Sequence, residues 1–345
     1  MKYKAIAVVG PTATGKTKLG VRLAAKFNGE IVSADSRQVY KYLDIATGKD
    51  KEEYSIKSLT PPARQRWATS PQMRGGRNQI FSPSAEGESP PVAGEGVGSS
   101  RTTKIPYHLI DILEPSQEIT VADFQKKAFS AIDDIIKRKK LPIIVGGSPF
   151  YVYSITEGWQ FPKFEKNTEL RKKLNKLSIS ELRDMLQKID PRAYGKIDAD
   201  NPRRLMRAIE VCLSSGKDFS QSRPKSEPKY NFLYLGITFP NEILKQKIQD
   251  RLKKRLKQGM IEEIANIIKQ KKATYQDLER MGMEPKFISF YLQNKINKAE
   301  LEELIVKNNY LFAKRQMTWF RKDKRINWVK NIQEAEKMTR KFLSI

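Results

Sequence analysis

One cysteine, Cys212, and one histidine, His108, are all that the 345-residue chain holds of those residue types. A single cysteine excludes a disulfide framework and a thiolate zinc site, and it fits a reducing compartment. A single histidine argues against a multi-histidine metal site and a histidine-based triad. No apolar run approaches the ~20 residues of a membrane span. The opening MKYKAIAVVG is too short in apolar residues for a signal peptide and runs straight into a motif. The expectation is a soluble, cytoplasmic protein with no membrane partner. Acidic residues are also scarce: 39 Asp and Glu stand against 65 Lys and Arg, a net charge of +26. So large an excess attracts polyanions, either nucleic acid or an anionic membrane surface. The length suggests about two domains and a sizeable core.

What is present alternates. Residues 4–9 (KAIAVV) read as a buried first strand ending at Gly10. Leu19, Leu23, Ala24 and Phe27 then recur at helical spacing. Ile31–Ala34 reads as a second strand, Ile105–Ile112 as another, Val121–Arg138 as a helix, and Leu141–Val145 as a strand stopped by Gly146-Gly147. Strands alternating with helices mean an α/β domain with a mainly parallel sheet. Residues 55–104 break the pattern: 20 of these 50 positions are Pro, Gly or Ser, so a disordered insertion is expected. Its Arg64, Arg66, Arg74 and Arg77 could touch RNA, although a plain solvated loop is the simpler reading. Residues 165–189 predict two short charged helices around Ser178, and residues 202–213 a helix opened by Pro202. Tyr230–Thr238 is expected to be the last strand. Beyond Pro240 the pattern is helical and basic, with 22 Lys/Arg against 11 Asp/Glu over residues 241–330. There is no internal repeat.

Four clusters carry chemistry. Gly10-Pro-Thr-Ala-Thr-Gly-Lys-Thr17 fits the phosphate-loop pattern G-x-x-x-x-G-K-[ST], with a strand before it and a helix after. Its backbone N–H groups and the helix N-terminus suit phosphate oxygens; Lys16 adds charge, and the Thr17 hydroxyl can ligate Mg²⁺. The loop reports a polyphosphate or diphosphate without specifying ATP. Ser33 through Tyr40 follow the second strand and place Asp35 at the ligand crevice, as metal ligand, general base or helix cap. Gly146-Gly-Ser148 follows another strand, either as a ligand contact or as an ordinary turn. Ala313 through Arg321 interleaves cations with Trp319 and Phe320; such mixtures grip RNA, or else pack rings inward beneath solvated charges.

In order, and over nearly the whole chain, these clusters resemble the tRNA dimethylallyltransferase (tRNA isopentenyltransferase) family. The match includes Gly10–Thr17, Val32–Tyr40, Leu43-Asp-Ile-Ala-Thr-Gly-Lys49 and Tyr107-His-Leu-Ile-Asp111. It continues through Val121–Phe124, Val145–Ser148, Asn201–Val211 and Lys314–Arg321. The resemblance implies a P-loop NTPase-like α/β core with a small helical insertion domain and a helical C-terminal region. The expected organisation is a core over 1–54 and 105–162, a disordered insertion at 55–104, and a tRNA-gripping helical domain at 163–200. A core return over 201–240, a basic helical region over 241–330 and a tail helix over 331–345 complete it.

The implied reaction transfers a dimethylallyl group from its diphosphate to N6 of adenosine 37, beside the anticodon, with Mg²⁺ as cofactor and a monomeric enzyme. Asp35 matches the general base, and Ser148 stands where threonine is usual and helps place the adenine. Gly10, Thr12, Ala13, Thr14, Gly15, Lys16, Thr17 and Arg251 would hold the donor diphosphate, with Thr17 on the metal. For the tRNA the resemblance points to Asp35, Ser36, Arg37, Gln38, Arg171, Arg203, Arg204, Arg207, Arg280 and Lys286. It also points to Lys314, Arg315, Gln316, Thr318, Trp319 and Arg321. The chain departs from the family pattern at residues 55–104, at Pro149-Phe150, which replaces a usual Gly/Met-Leu pair, and at Glu284-Pro285-Lys286, which lacks a Tyr-Arg. The 165–189 helices are also shorter than usual. A P-loop kinase for a nucleotide or other small hydroxyl substrate, or a non-catalytic RNA-binding switch, are the alternatives. The Lys314–Trp319 block and the basic excess count against the first. The Ser-Ala-Asp35-Ser context counts against the second.

Overall fold

The computed structural model describes residues 2–58, 101–161, 167–221 and 226–344. In chain order its first half runs β1 (Lys4–Val9), α1 (Lys16–Lys26), β2 (Gly29–Ser33), α2 (Asp44–Thr47), β3 (Ser55–Ser58), β4 (Arg101–Lys104), β5 (Tyr107–His108), α3 (Val121–Lys137), β6 (Leu141–Gly146) and α4 (Pro149–Thr156). Next come α5 (Thr168–Leu174), α6 (Ile179–Ile189), α7 (Pro191–Tyr194), α8 (Pro202–Ser215) and β7 (Asn231–Gly236). The remainder is α9 (Asn241–Lys257), α10 (Met260–Lys269), α11 (Tyr275–Met281), α12 (Met283–Leu292), α13 (Lys298–Phe320), β8 (Ile326–Trp328) and α14 (Ile332–Leu343).

The sheet order is β5-β2-β6-β1-β7-β8, and every adjacent pair is parallel. Its central strands are covered on both faces, which is why they read as unbroken apolar runs rather than alternating ones. On one face α3, α4 and the end of α13 bury Phe124, Ile132, Val152 and Phe320. On the other, α1 and α14 bury Leu23, Ile31, Ile143 and Ala335. This is the expected α/β, P-loop NTPase-like core. Because β1, β2 and β6 are parallel neighbours, their carboxyl ends share one edge. That edge is where such sheets bind ligands.

Several boundaries differ from the sequence reading. Ile105–Ile112 yields only the two-residue β5, since Leu109 and Asp111 take positive φ and leave the strand. The ends of the 55–104 segment form an antiparallel pair, from Ser55 opposite Lys104 to Ser58 opposite Arg101. The rest of that expected insertion, with Arg64, Arg66, Arg74 and Arg77, lies outside the described residues. β7 is not the last strand, because Ile326–Trp328 pairs beside it as an edge strand. α8 is packed not on the sheet but on the insertion helices, where Leu205, Ala208 and Ile209 meet Leu174, Leu182 and Leu186. The helical unit therefore extends beyond residue 200. Ser178 begins α6 with a reciprocal cap: its hydroxyl accepts from the Glu181 N–H while Glu181 accepts from the Ser178 N–H. A separate cluster joins α10, α11, α12 and α13 to α2 through Met260, Ile264, Ile288, Leu301 and Leu43. This brings the C-terminal helices over the ligand-binding edge.

Candidate active site

The phosphate loop leaves β1 at Gly10 and enters α1 at Lys16. Gly15 sits at φ +79°, a left-handed conformation that only glycine adopts cheaply, and no side chain caps α1. The first N–H groups of the helix are thus free of side-chain acceptors and aimed at the cavity, an arrangement that suits an anion. Thr14 Oγ1 donates to the Pro11 carbonyl at 2.9 Å, and Lys16 Nζ donates to the same oxygen at 2.6 Å. Burial lowers the Lys16 pKa to about 8; Asp35 opposes the shift, while Arg251 and Arg37 add to it. The lysine is a strained cation in want of an anion.

Arg251, on α9, completes that picture. Its Nη1 donates to Thr12 Oγ1 at 2.8 Å and its Nη2 to Asn309 Oδ1 at 3.1 Å. Burial, then the neighbouring Arg255, disfavours its positive charge, with Arg37 acting in the same direction. A cavity of about 740 Å³ is lined by the phosphate loop with Asp35, Gly147, Arg251 and Arg255. Thr12–Thr17 and Arg251, far apart in the chain and expected to hold one diphosphate, therefore line one cavity, while Gly10 is not among its lining residues.

Asp35 and Ser148 extend from the ends of β2 and β6. Asp35 Oδ1 accepts from the Arg37 N–H at 2.9 Å, closing a local turn. No helix begins there, so of the alternatives left open by the sequence the helix cap falls away. Ser148 Oγ accepts from the Ser36 N–H at 3.1 Å and donates to Ser36 Oγ at 3.2 Å, which joins the two loops across the cavity mouth.

Two residues expected on the tRNA face inward instead. Gln316 is 2% exposed; its Oε1 accepts from the Thr12 N–H at 2.8 Å and its Nε2 donates to the Gly147 carbonyl at 2.5 Å. A Cβ on Gly147 would come within 2.4 Å of that Nε2, so this approach requires glycine. Gln38 is also buried, accepting from Ser33 Oγ and donating to the Gly48 carbonyl, both at 2.8 Å. Both amides have internal partners in this structure, and Gln38 also lines the cavity.

The remaining expected tRNA residues divide by their partners. Arg171 and Arg207 both clasp Glu210, with three contacts of 2.7 Å. Burial tends to raise the Glu210 pKa, but the two guanidinium groups hold the carboxyl below its ordinary value. Arg204 pairs with Asp198 at 3.3 Å, and Arg203 is exposed beside it. Arg280 donates to the Pro115 carbonyl at 2.8 Å and pairs with Asp277. Lys286 lies over Phe290 and Lys314 over Tyr310. Lys314, Arg315, Thr318, Trp319 and Arg321 share the exposed side of α13 and its end. Arg37 is drawn inward: Nη1 donates to Glu284 Oε2 at 2.8 Å, and the guanidinium lies over Phe312.

Three further residues matter to which the sequence reading gave no role in the site. Glu284, 3% exposed, accepts from Asn309 Nδ2 at 3.1 Å and faces Arg255 at 3.8 Å as well as Arg37. Burial would raise its pKa, yet Arg37, Arg251 and Arg255 hold it below the ordinary range. Glu263 of α10 accepts from the N–H groups of Asp44, Ile45 and Ala46 at 2.8–2.9 Å, fixing α2 beside the cavity. Lys49, wholly buried, bridges Asp44 and Asp111. The partners of Glu263 and Glu284 are distant in the chain, whereas Lys49 lies within the Leu43–Lys49 match, five residues from Asp44.

The oxygen donors here suit a hard divalent cation. Thr17 offers a hydroxyl in the same cavity. Among the described residues no group of three Asp, Glu, His or Cys side chains could hold a metal unaided. Such a site fits Mg²⁺ held mainly by substrate oxygens and water, the usual mode at phosphate loops.

A model of the IPP transferase family matches residues 96–323, and one of the isopentenyl transferase family matches residues 3–59. The tRNA dimethylallyltransferase of Carboxydothermus hydrogenoformans is 37% identical, covering 100% of this chain and 97% of its own. That of Finegoldia magna is 33% identical over 97% and 94%. Among solved structures, the tRNA isopentenylpyrophosphate transferase of Bacillus halodurans is 29% identical, with 99% and 97% coverage and a TM-score of 0.63. A eukaryotic dimethylallyltransferase acting on tRNA, 24% identical over 92% and 70%, shares the fold with a TM-score of 0.67. The phosphate loop alone would have served a kinase equally well, but full-length relatives do not favour that alternative. The chain belongs to the tRNA dimethylallyltransferase (IPP transferase) family.

Proposed function

We propose that the protein transfers the dimethylallyl group of dimethylallyl diphosphate to N6 of adenosine 37 in the tRNA anticodon loop. The observation that carries this reading is the convergence of the phosphate loop, Asp35 and Ser148 at the ends of three adjacent parallel strands. The loop N–H groups, Lys16 and Arg251 bind the diphosphate, and Thr17 is the side chain that would hold Mg²⁺. When bound, that ion neutralises charge on the diphosphate oxygens.

The N6 lone pair attacks the allylic carbon as the carbon–oxygen bond breaks and diphosphate departs. Asp35 takes the N6 proton, because the adenine amine is a weak nucleophile whose lone pair is delocalised into the ring. Lys16 and Arg251 stabilise the charge that builds on the leaving oxygens. Ser148, fixed by Ser36, positions the adenine, which must leave its stack to reach the cavity. The helical unit of α5–α8, with Arg203 and Arg204 exposed, supports a grip on the anticodon arm, and the cationic side of α13 supports a second contact. Arg37, Arg171, Arg207, Arg280 and Lys286 remain candidates that must exchange an internal partner for phosphate. Among the described residues no helix is long and apolar enough to cross a membrane. We take the enzyme to act as a cytoplasmic monomer.

The test is incorporation of labelled dimethylallyl diphosphate into unmodified tRNA with Mg²⁺ and without ATP, followed by nucleoside analysis. Label on N6 of adenosine 37 is expected. Folded protein that gives no label but consumes ATP would overturn the proposal.

A further inference from the structure

Large apolar side chains left in water call for an occupant. Phe150 is 40% exposed and Trp319 38%. They meet from different elements, Phe150 from the first turn of α4 and Trp319 from the last turn of α13. Their ring centroids lie 5.0 Å apart with the planes inclined at 58°, which leaves an open aromatic corner rather than a closed stack. Trp159 supports Phe150 edge-on at 5.8 Å and Tyr153 lies 6.2 Å from Trp319, so the corner is held from behind.

Its position and its charge both point to one kind of ligand. Phe150 is two residues beyond Ser148, whose hydroxyl bridges to Ser36 next to Asp35. Arg315 lies one helical turn before Trp319 and is exposed, as are Lys314 and Arg321. Among the described residues no salt bridge joins Arg315 or Arg321 to a carboxylate. Flat rings flanked by cations are the arrangement that binds unstacked bases: rings take the base face and cations the phosphates. A protein partner would place acidic side chains on the cations but has no need of two tilted rings.

We propose that the Phe150–Trp319 corner stacks an unpaired base immediately next to the target adenosine, holding the loop open while that adenosine enters the cavity. This rests on the tRNA reading above and adds a base subsite to it, with Phe150 as a binding residue.

The test crosses protein variants with RNA variants. Anticodon stem-loops carrying an abasic nucleotide on the 5′ or the 3′ side of the target are titrated against wild type, Phe150→Leu and Trp319→Leu. Loss of one base–aromatic stack is expected to weaken binding of intact RNA roughly tenfold or more. One abasic stem-loop should bind wild type equally weakly, and on that RNA the leucine variants should cost nothing further. Phe150→Tyr and Trp319→Phe, which keep a ring, should restore most of the affinity. Losses that multiply on every RNA, or no loss on intact RNA, would overturn the subsite. Should a leucine variant fail to fold, the tyrosine variant and quenching of tryptophan emission by intact but not by abasic RNA decide the matter. Wild type labelling the intact stem-loop without this coupling would refute the subsite alone. Wild type giving no label at all would refute the proposed function.

Discussion

Gln316 separates two physical roles that a single substitution can tell apart. Replacing it by leucine keeps the volume but removes both hydrogen bonds. The Thr12 N–H and the Gly147 carbonyl, both buried under the side chain, would lose their partner. Leaving a buried polar group unsatisfied costs about 1–3 kcal/mol, so the pair should cost about 4 kcal/mol. For a chain of this size that corresponds to a fall in Tm of roughly 6 °C. The same change releases the phosphate loop from the loop that carries Ser148. Affinity for inorganic diphosphate should therefore fall about tenfold, the effect of 1.4 kcal/mol of lost pre-organisation. Affinity for tRNA without donor should stay within about twofold of wild type, since the amide is spent internally. Thermal unfolding, calorimetric titration with diphosphate and RNA binding read the three quantities. A Gln316→Leu protein with unchanged Tm and diphosphate affinity but weakened tRNA binding would refute the internal clamp and restore an RNA-facing role.

Asp35→Ala should bind donor and tRNA nearly as wild type does yet lose about 10²- to 10⁴-fold in single-turnover rate, and near-normal turnover would remove its role as base. Glu284→Gln takes from Arg37 the carboxylate it pairs with and should destabilise the free protein by about 3–5 kcal/mol. Diphosphate should then raise its Tm by more than it raises that of wild type, because the anion substitutes for the lost charge; an equal rise would contradict this. Glu30, 1% exposed, is lowered from 4.5 to about 2, first by its hydrogen bond to Arg138 and further by His108 and Lys140, against burial. A depressed carboxyl stabilises the fold above its unfolded pKa and ceases to do so as pH falls through the folded one. Stability should decline between pH 4.5 and about 2, and Glu30→Gln should flatten that decline in pH-dependent thermal melts; a slope equal to wild type would refute it. Replacing residues 59–100 by Asn-Gly should leave Tm unchanged or higher, since Ser58 and Arg101 already face each other as a hairpin end, and loss of cooperative unfolding would show the segment to be structural.

The parts of the site that were legible in the sequence are those whose signal is local. Gly10–Thr17, Asp35 and Ser148 each follow a short apolar strand within a few residues, so pattern and position arrive together. Arg251 came from resemblance, and its 2.8 Å contact with Thr12 spans 239 positions that no periodicity connects. Glu263, Glu284 and Asn309 were missed for the same reason, as they act only on partners brought near by folding. The burial of Gln38 and Gln316 was not legible, because an amide in a basic or polar run looks exposed until its two internal partners are seen. The strand Ile326–Trp328 is three residues long and exists because the free edge of β7 accepts it. α8 was assigned by its place in the chain, whereas its apolar face of Leu205, Ala208 and Ile209 selected the insertion helices.

The electrostatic layout explains why this phosphate loop can serve alkyl rather than phosphoryl transfer. Deep in the cavity burial and mutual repulsion weigh on Lys16 and Arg251, and Glu284 and Asp50 offset the charge of Arg251 only in part. A diphosphate bound there relieves that imbalance, and its relief grows as the carbon–oxygen bond breaks and negative charge moves onto the leaving oxygen. Asp35 lines the same cavity and favours the charge of Lys16, while Ser148 is a neutral hydroxyl joined to Ser36. The proton released from the amine therefore travels toward negative charge while the leaving group's electrons travel toward positive charge. A phosphoryl-transfer enzyme would need its acceptor oxygen in line with a phosphorus atom among the cations. In the proposed reaction the acceptor amine meets the allylic carbon instead, so the carbon chain of the donor would separate it from the phosphates.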